Sequence, residues 1–355
     1  ASTKTDAPYT TPSGYTPSNW YSGYWGLATV RYAITQSMNV VTTKFFVEDV
    51  TPELAIEYCE KLGITTLTDS DYVESFALGG LTYGVTNLEM TGAYAAIANG
   101  GKFVRPVFYT KVLDRDGNVI LDNTNQEGEQ VIKESTAYLL TSAMQDVVTK
   151  GTGTAARLSD GMDAAGKTGT TTDSKDLWFV GYTPYLTAGV WLGYDQSYSM
   201  EGQLNETEHE YLWAKIMNRI DSECGYEPTS FTVPDSVGTR TVCSKSGKLV
   251  GTSVCTPITE YFDLSALPTG YCSDHYGAYI CSVCGGLANE NSPSSTYREY
   301  NSSSEIPTRQ CTCKPETESK TEESTSPSES STTTPTTEPT APTTPTDPTA
   351  PTPVG

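Results

Sequence analysis

The sequence predicts an α+β fold: a mixed antiparallel sheet flanked by helices, then a small Cys-rich module and a disordered Thr/Pro-rich tail. Three observations carry this. Capped helical patterns fill most of the first 150 residues. Strand-like runs joined by turns follow, rather than an alternation of strand and helix, which separates α+β from α/β. Eight of the nine cysteines fall between Cys224 and Cys313, and from Lys314 the chain is largely Thr, Pro, Ser and Glu.

Residues 1 to 25, rich in Ser, Thr, Pro, Gly and Tyr, read as an extended approach segment. From Leu27 to Phe46 the apolar residues Val30, Ala33, Ile34, Val40, Val41 and Phe45 recur at helical spacing. Ser37-Met38-Asn39 interrupts them, which predicts a break between two short helices. Thr51-Pro52-Glu53 is a helix start, with a cap, a first-turn proline and an acid, and Gly63 is its stop. Thr86 to Asn99 is a further helix closed by Gly100-Gly101. Phe103 to Leu121 alternates around Asp116-Gly117, a hairpin signal. Glu134 to Val148 is helical. Lys167 to Thr172, Leu177 to Tyr182 and Leu186 to Tyr194 are strands, the last two joined at Thr183-Pro184-Tyr185, and Tyr211 to Ile220 closes as a helix. The tail after Lys314 cannot offset its chain entropy by burial.

Composition narrows the function. The net charge is −21. A broad phosphate-binding surface needs Lys and Arg, so no nucleic-acid partner is expected. No apolar run is long enough to span a bilayer. Dense cysteine of even count reads as a disulfide framework in an oxidising, extracytoplasmic setting, and eight cysteines allow 105 pairings. Cys281-Ser282-Val283-Cys284 with Cys311-Thr312-Cys313 resembles a four-thiolate zinc set. The second pair has the wrong spacing for a regular ribbon, so disulfides are the expectation. A local bridge between Cys243 and Cys255 would close the Ser244-Lys245-Ser246-Gly247 turn. No metal and no cofactor are expected, and His209 and His275 receive no role.

The candidate chemistry lies in Lys167-Thr168-Gly169-Thr170 and in Ser37-Met38-Asn39. Strand alternation puts Lys167 and Gly169 on one face and Thr168 and Thr170 on the other. An ammonium at Lys167 can hold a proton network, the two threonine hydroxyls can bond a carboxylate, and Gly169 admits a ligand backbone. An exposed strand edge can pair with an extended peptide. Ser37 could relay a proton, and Asn39 could bond a substrate amide or a lysine. Taken alone, Ser37-Met38-Asn39 reads as a helix cap rather than a catalytic element, and it gains weight only from its partner downstream.

Four segments, in order, resemble penicillin-binding protein transpeptidase domains of the class A, bifunctional peptidoglycan synthases: YTPSNWYSGYWGLATVRYAITQSMNVV, AYAAIANGGKFVRPVFYTKVLDRDGNVI, GTGTAARL and AAGKTGTTTDSKDLWFVGYTPYLTAGVWLGYD. The likeness covers residues from about 15 to 223. It implies a penicillin-binding protein/serine β-lactamase-like fold. It also implies a serine acyl-enzyme that cross-links peptidoglycan stem peptides and is blocked by β-lactams. By the same resemblance Ser37, Asn39 and Lys167 are catalytic, Thr168 and Thr170 contact the substrate or β-lactam carboxylate with Gly169 between them in the substrate-binding strand, and Trp178 either shapes that wall or belongs to the core.

The family's Ser-x-x-Lys motif, which carries the nucleophile, has no counterpart ahead of Ser37. The expectation is therefore an N-terminally truncated transpeptidase domain over 1-223, inactive by itself and marginally stable, with its membrane anchor and nucleophile upstream. A Cys-rich accessory module over 224-313 and the tail over 314-355 would follow. Implied partners are the stem peptides, β-lactams and the cell-wall synthesis machinery, at the outer face of the bacterial membrane. A β-lactamase or D,D-carboxypeptidase-like hydrolase, which needs an added carboxylate to activate water, and a non-catalytic wall-binding homologue are the alternatives. Among acids between Ser37 and Lys167, only Glu89 draws notice, and it reads as part of its helix.

Overall fold

The computed structural model describes residues 2–251, 255–273, 276–300 and 303–313. The tail over 314-355 and His275 lie outside the described residues. Six helices and thirteen strands occur among them. The approach segment is not wholly irregular, because β1 (Thr3–Asp6) pairs antiparallel with β2 (Gly26–Thr29). The chain then enters α1 (Val30–Thr35) and α2 (Asn39–Phe45). Thr29 caps α1 by accepting the Tyr32 N–H at 3.2 Å, which satisfies one otherwise orphaned donor. Met38, Val40 and Val41 are fully buried and anchor the break and the second helix.

Next come α3 (Pro52–Lys61), with Thr51 as its cap, and α4 (Asn87–Ala98), opened by a Thr86/Glu89 capping box. Glu89 accepts from Thr65 and Thr86, backbone and hydroxyl alike. Against an opposing desolvation, those bonds hold its carboxyl down to about 2. Small strands β3 (Lys102–Phe103) and β6 (Glu129–Gln130) pair, and β4 (Lys111–Leu113) and β5 (Val119–Asp122) form the expected hairpin around Gly117. The long α5 (Glu134–Lys150) follows.

The sheet that positions the site has the order β7-β8-β9, made of β7 (Ala165–Thr170), β8 (Asp176–Tyr182) and β9 (Thr187–Gly193), all antiparallel. One face packs on α6 (Glu208–Cys224), where Phe179 meets Trp213 edge-on at 5.0 Å. Both rings are fully buried, and each contributes roughly 2–3 kcal/mol of apolar burial. The other face packs on α5 and α4 through Ala165, Tyr182, Met144, Tyr94 and Ile97. The Tyr182 hydroxyl is satisfied there by Thr141 Oγ1 at 2.7 Å. Among the described residues β7 pairs only with β8, so its outer edge is free of any strand.

Beyond α6 two hairpins form, β10 (Val237–Cys243) with β11 (Pro257–Asp263), and β12 (Tyr276–Cys281) with β13 (Ser295–Tyr300). The first docks on the helices. Arg31 of α1 donates to Glu260 at 2.5 and 2.6 Å and to Asp146 at 3.1 Å, and Tyr138 meets Tyr261 edge-on at 5.3 Å. The cysteines correct an expectation. Among the described residues no disulfide framework is formed, and the expected local bridge between Cys243 and Cys255 is not made. The hairpins gather sulfurs around common centres rather than in pairs: Cys243, Cys255 and Cys272 in one group, Cys281, Cys284, Cys311 and Cys313 in another.

Candidate active site

The two sequence-predicted motifs meet. Lys167 Nζ donates to Ser37 Oγ at 2.9 Å across 130 residues, and also to the Thr168 carbonyl at 3.0 Å and the Thr168 hydroxyl at 3.4 Å. Ser37 reaches this position because the backbone breaks between α1 and α2 with Ser37 at φ 52°. That left-handed conformation is uncommon for a residue with a Cβ and is kept only where the surroundings enforce it. Here the Ser37 N–H bonds the Ile34 carbonyl at 3.2 Å, the Met38 N–H bonds Ala33 at 2.9 Å, and Met38 is sunk in the core.

A second contact fixes the strand against the break. The end of α5 presses on the end of α1 at Gly151, where an added Cβ would lie 2.3 Å from the Thr35 carbonyl oxygen. The next residue, Thr152, donates its N–H to that same carbonyl at 3.2 Å and shares a 2.8 Å hydroxyl–hydroxyl bond with Thr168. Thr152 is thus a bracket between the helix pair and β7.

The electrostatics are those of a poised amine. Burial of the ammonium pushes Lys167 down to about 8, with the Glu210 carboxylate opposing. Burial likewise lifts Glu210, in the first turn of α6, to about 7, while the Ala155 N–H (3.1 Å) and the Lys167 charge pull the other way. Two groups of opposite sign are each drawn toward neutrality by the same desolvation. Neighbouring His209 is buried, held down to about 4 by desolvation, and therefore neutral at pH 7. Neither ring nitrogen has a hydrogen-bond partner among the described residues.

The remaining expected residues fall as follows. Gly169 lies opposite Trp178 in the ladder, with Trp178 Cβ 3.3 Å from where a Gly169 Cβ would be, and Trp178 in turn pairs with Trp191. Trp178 is half-buried, its ring 6.3 Å from that of Trp191, so it flanks the strand rather than filling the core. Thr170 is exposed at the strand end. Asn39 turns its amide to the Ser18 carbonyl at 2.8 Å rather than to Lys167. Sequence reasoning missed Thr152 and Glu210. Thr152 lay within a quoted segment, Gly151-Thr152-Gly153-Thr154, without a role. Glu210 carried no signal, because an acid in a helix's first turn reads as a dipole partner.

What this arrangement can do is hold a proton between an amine near neutrality and a serine hydroxyl, beside a strand edge able to take an extended ligand. Comparisons with known proteins place the chain in a family. The family profile described as "Penicillin binding protein transpeptidase domain" matches residues 2–205. Penicillin-binding protein 1A of Clostridium botulinum is 35% identical over 298 residues, covering 81% of this chain and 35% of that protein. Penicillin-binding protein 1A/1B of Bacillus subtilis is 31% identical over 287 residues, covering 74% of this chain and 30% of that protein. The chain thus spans about a third of the length of these curated relatives.

Among solved structures, penicillin-binding protein 1A from Haemophilus influenzae superposes with a TM-score of 0.62 at 20% identity, over 76% of this chain and 46% of that one. The PonA1 protein from Mycobacterium tuberculosis in complex with penicillin V gives 0.54 at 23% identity, over 65% of each chain. At these identities the structures speak to the fold: a mixed helix and antiparallel-sheet architecture shared with penicillin-binding proteins. With its family profile covering more than half of its residues, the chain belongs to the penicillin-binding protein transpeptidase domain family.

Proposed function

We propose that this chain forms the Lys167 half of a serine acyl-transfer site that cross-links peptidoglycan stem peptides and is acylated by β-lactams. The observation that carries this is the 2.9 Å bond from Lys167 Nζ to Ser37 Oγ at the free edge of β7. A serine attacks the carbonyl of a D-alanyl amide and its proton passes to a base. The Ser37–Lys167 pair returns a proton to the departing D-alanine amine, and the amine of a second stem peptide then displaces the enzyme. Lys167 suits that relay because an amine at about 8 gives and takes a proton near neutral pH at comparable rates. Thr168 and Thr170 hold the terminal carboxylate, Gly169 lets the ligand backbone close on the strand, and Trp178 forms the flanking wall. Asn39 orders the Ser18 segment beside Ser37.

No serine in the 355 residues is followed by lysine three positions on. The nucleophile is assigned to the part of the relatives' length that this chain does not span, which also accommodates the anchor that places the domain outside the cytoplasmic membrane. The hydrolase reading is weaker. Glu89 is consumed by its cap and held ionised at about 2, so it is unsuited to activate water beside an acyl group. Fluorescent-penicillin labelling of this chain, beside the same chain extended upstream in its natural reading frame, tests the proposal. Only the extended form should label. Failure of both, with both folded, would leave a wall-binding role.

A further inference from the structure

We propose that Cys281, Cys284, Cys311 and Cys313 form a tetrathiolate site for a zinc ion, which staples the C-terminal hairpin module. The four Sγ atoms all lie within 4.8 Å of one another. A tetrahedron of thiolates at the usual zinc–sulfur distance of about 2.3 Å has edges of about 3.8 Å, so a small contraction completes the shell. Two disulfides would instead draw the sulfurs into pairs at about 2 Å. Here all four thiols are free and converge on one centre.

The backbone around the sulfurs is built for thiolates. Cys281-Ser282-Val283-Cys284-Gly285 is a tight turn, closed by the Gly285 N–H on the Cys281 carbonyl at 2.9 Å and the Cys281 N–H on Gly286 at 2.8 Å. Gly285 takes φ 70°, a left-handed position that favours glycine. The turn thereby places Cys281 and Cys284 three residues apart on one tight loop. Cys311 is brought in by its own N–H on the Leu287 carbonyl at 2.7 Å. Arg309 donates to the Cys284 carbonyl at 2.5 Å and places a cation beside a centre whose four thiolates exceed the charge of one Zn²⁺.

The same scaffold appears twice. Cys243 N–H to Lys248, Gly247 N–H to Cys243, Leu249 N–H to Gly270 and Cys272 N–H to Leu249 repeat as Cys281 to Gly286, Gly285 to Cys281, Leu287 to Arg309 and Cys311 to Leu287. The first copy also gathers three thiols, Cys243, Cys255 and Cys272. In the second copy Cys284 stands where the first has Ser246, and Pro293 where the first has Cys255, so a thiol lost at one position is regained at another around the same centre. The need for a staple follows from size. From Tyr276 onward the buried apolar side chains among the described residues are Ile280, Cys281 and Cys311. A unit of roughly 40 residues with so little core requires a metal, a disulfide or an oligomer to fold.

The test is elemental analysis and X-ray absorption on the full chain purified without chelator, followed by alkylation. Stoichiometric zinc with a first shell of four sulfurs at about 2.3 Å is expected. Cys281, Cys284, Cys311 and Cys313 should resist iodoacetamide until a chelator is added. Cys284→Ser and Cys313→Ser should each lose one zinc equivalent. Since such variants can misfold, cobalt titration of the unmodified chain supplies a second reading: an intense sulfur-to-cobalt charge-transfer band displaced by zinc. A denatured mass lowered by the hydrogens of two disulfides would overturn the proposal. So would iron in place of zinc, absence of metal with four alkylatable thiols, or zinc retained in both variants.

Discussion

Replacing Lys167 with Met should leave the protein at least as stable at pH 7 and remove a defined part of its pH dependence. Burial holds the ammonium at about 8 against an ordinary 10.5. That corresponds to roughly 3 kcal/mol of penalty on the charged form. Because the folded pKa is depressed, the unfolded chain binds more protons between about 8 and 10.5. Stability is therefore lowest below pH 8 and rises as the folded amine loses its proton. Between pH 7 and pH 9 the gain is on the order of 1 kcal/mol. The Lys167→Met chain lacks this gain. Loss of the lysine charge also removes a favourable neighbour of Glu210, which adds in the same direction. Urea denaturation of both chains at the two pH values reads the difference directly, with the many tyrosines cancelling in the comparison. Identical pH responses would refute the claim that Lys167 is a desolvated ammonium.

Further predictions concern its neighbours. Glu210→Gln should remove a loss of stability of up to about 3 kcal/mol that the parent chain shows as pH rises from 4.5 through 7, because the folded carboxyl is raised to about 7. Denaturation midpoints across that range check it. Gly151→Ala should cost about 1–3 kcal/mol, since its Cβ would fall 2.3 Å from the Thr35 carbonyl oxygen. In the extended chain it should also slow penicillin acylation by moving Ser37 away from Lys167. Arg31→Ala should cost about 3–5 kcal/mol by leaving nearly buried Glu260 unpaired. Limited proteolysis should then cut between α6 and β10 at a lower protease concentration.

Most of the fold was legible because local signals and tertiary demands agree. Thr51-Pro52 and Thr86 with Glu89 open the helices they mark, Asp116-Gly117 turns a hairpin, and Ser37-Met38-Asn39 breaks α1 from α2. The pairing of β1 with β2 was not legible, because it joins Thr3 to Thr29 across a segment with no alternation. At the candidate site, the meeting of Ser37 with Lys167 follows residues carried by motifs, whereas residues recruited by packing had no such signal. Glu210 is buried only because α6 covers the sheet face that Phe179 and Trp213 fill, and it acts on Lys167 through its charge rather than by contact. Asn39 was correctly placed at the break, but its partner, Ser18, comes from a loop whose path no periodicity reports. The cysteines misled because spacing was weighed as a ribbon, whereas the sulfurs converge through a repeated turn whose geometry lies in backbone hydrogen bonds.

The measurement that bears most directly on the acyl-transfer assignment is mass mapping of the penicilloyl adduct on the upstream-extended chain, with its acylation rate compared with that of Lys167→Met. The adduct is predicted on a serine outside these 355 residues, with the rate in Lys167→Met lower by at least about 100-fold, the usual scale for a lost general acid–base group. An adduct on Ser37, or an unchanged rate in Lys167→Met, would contradict it.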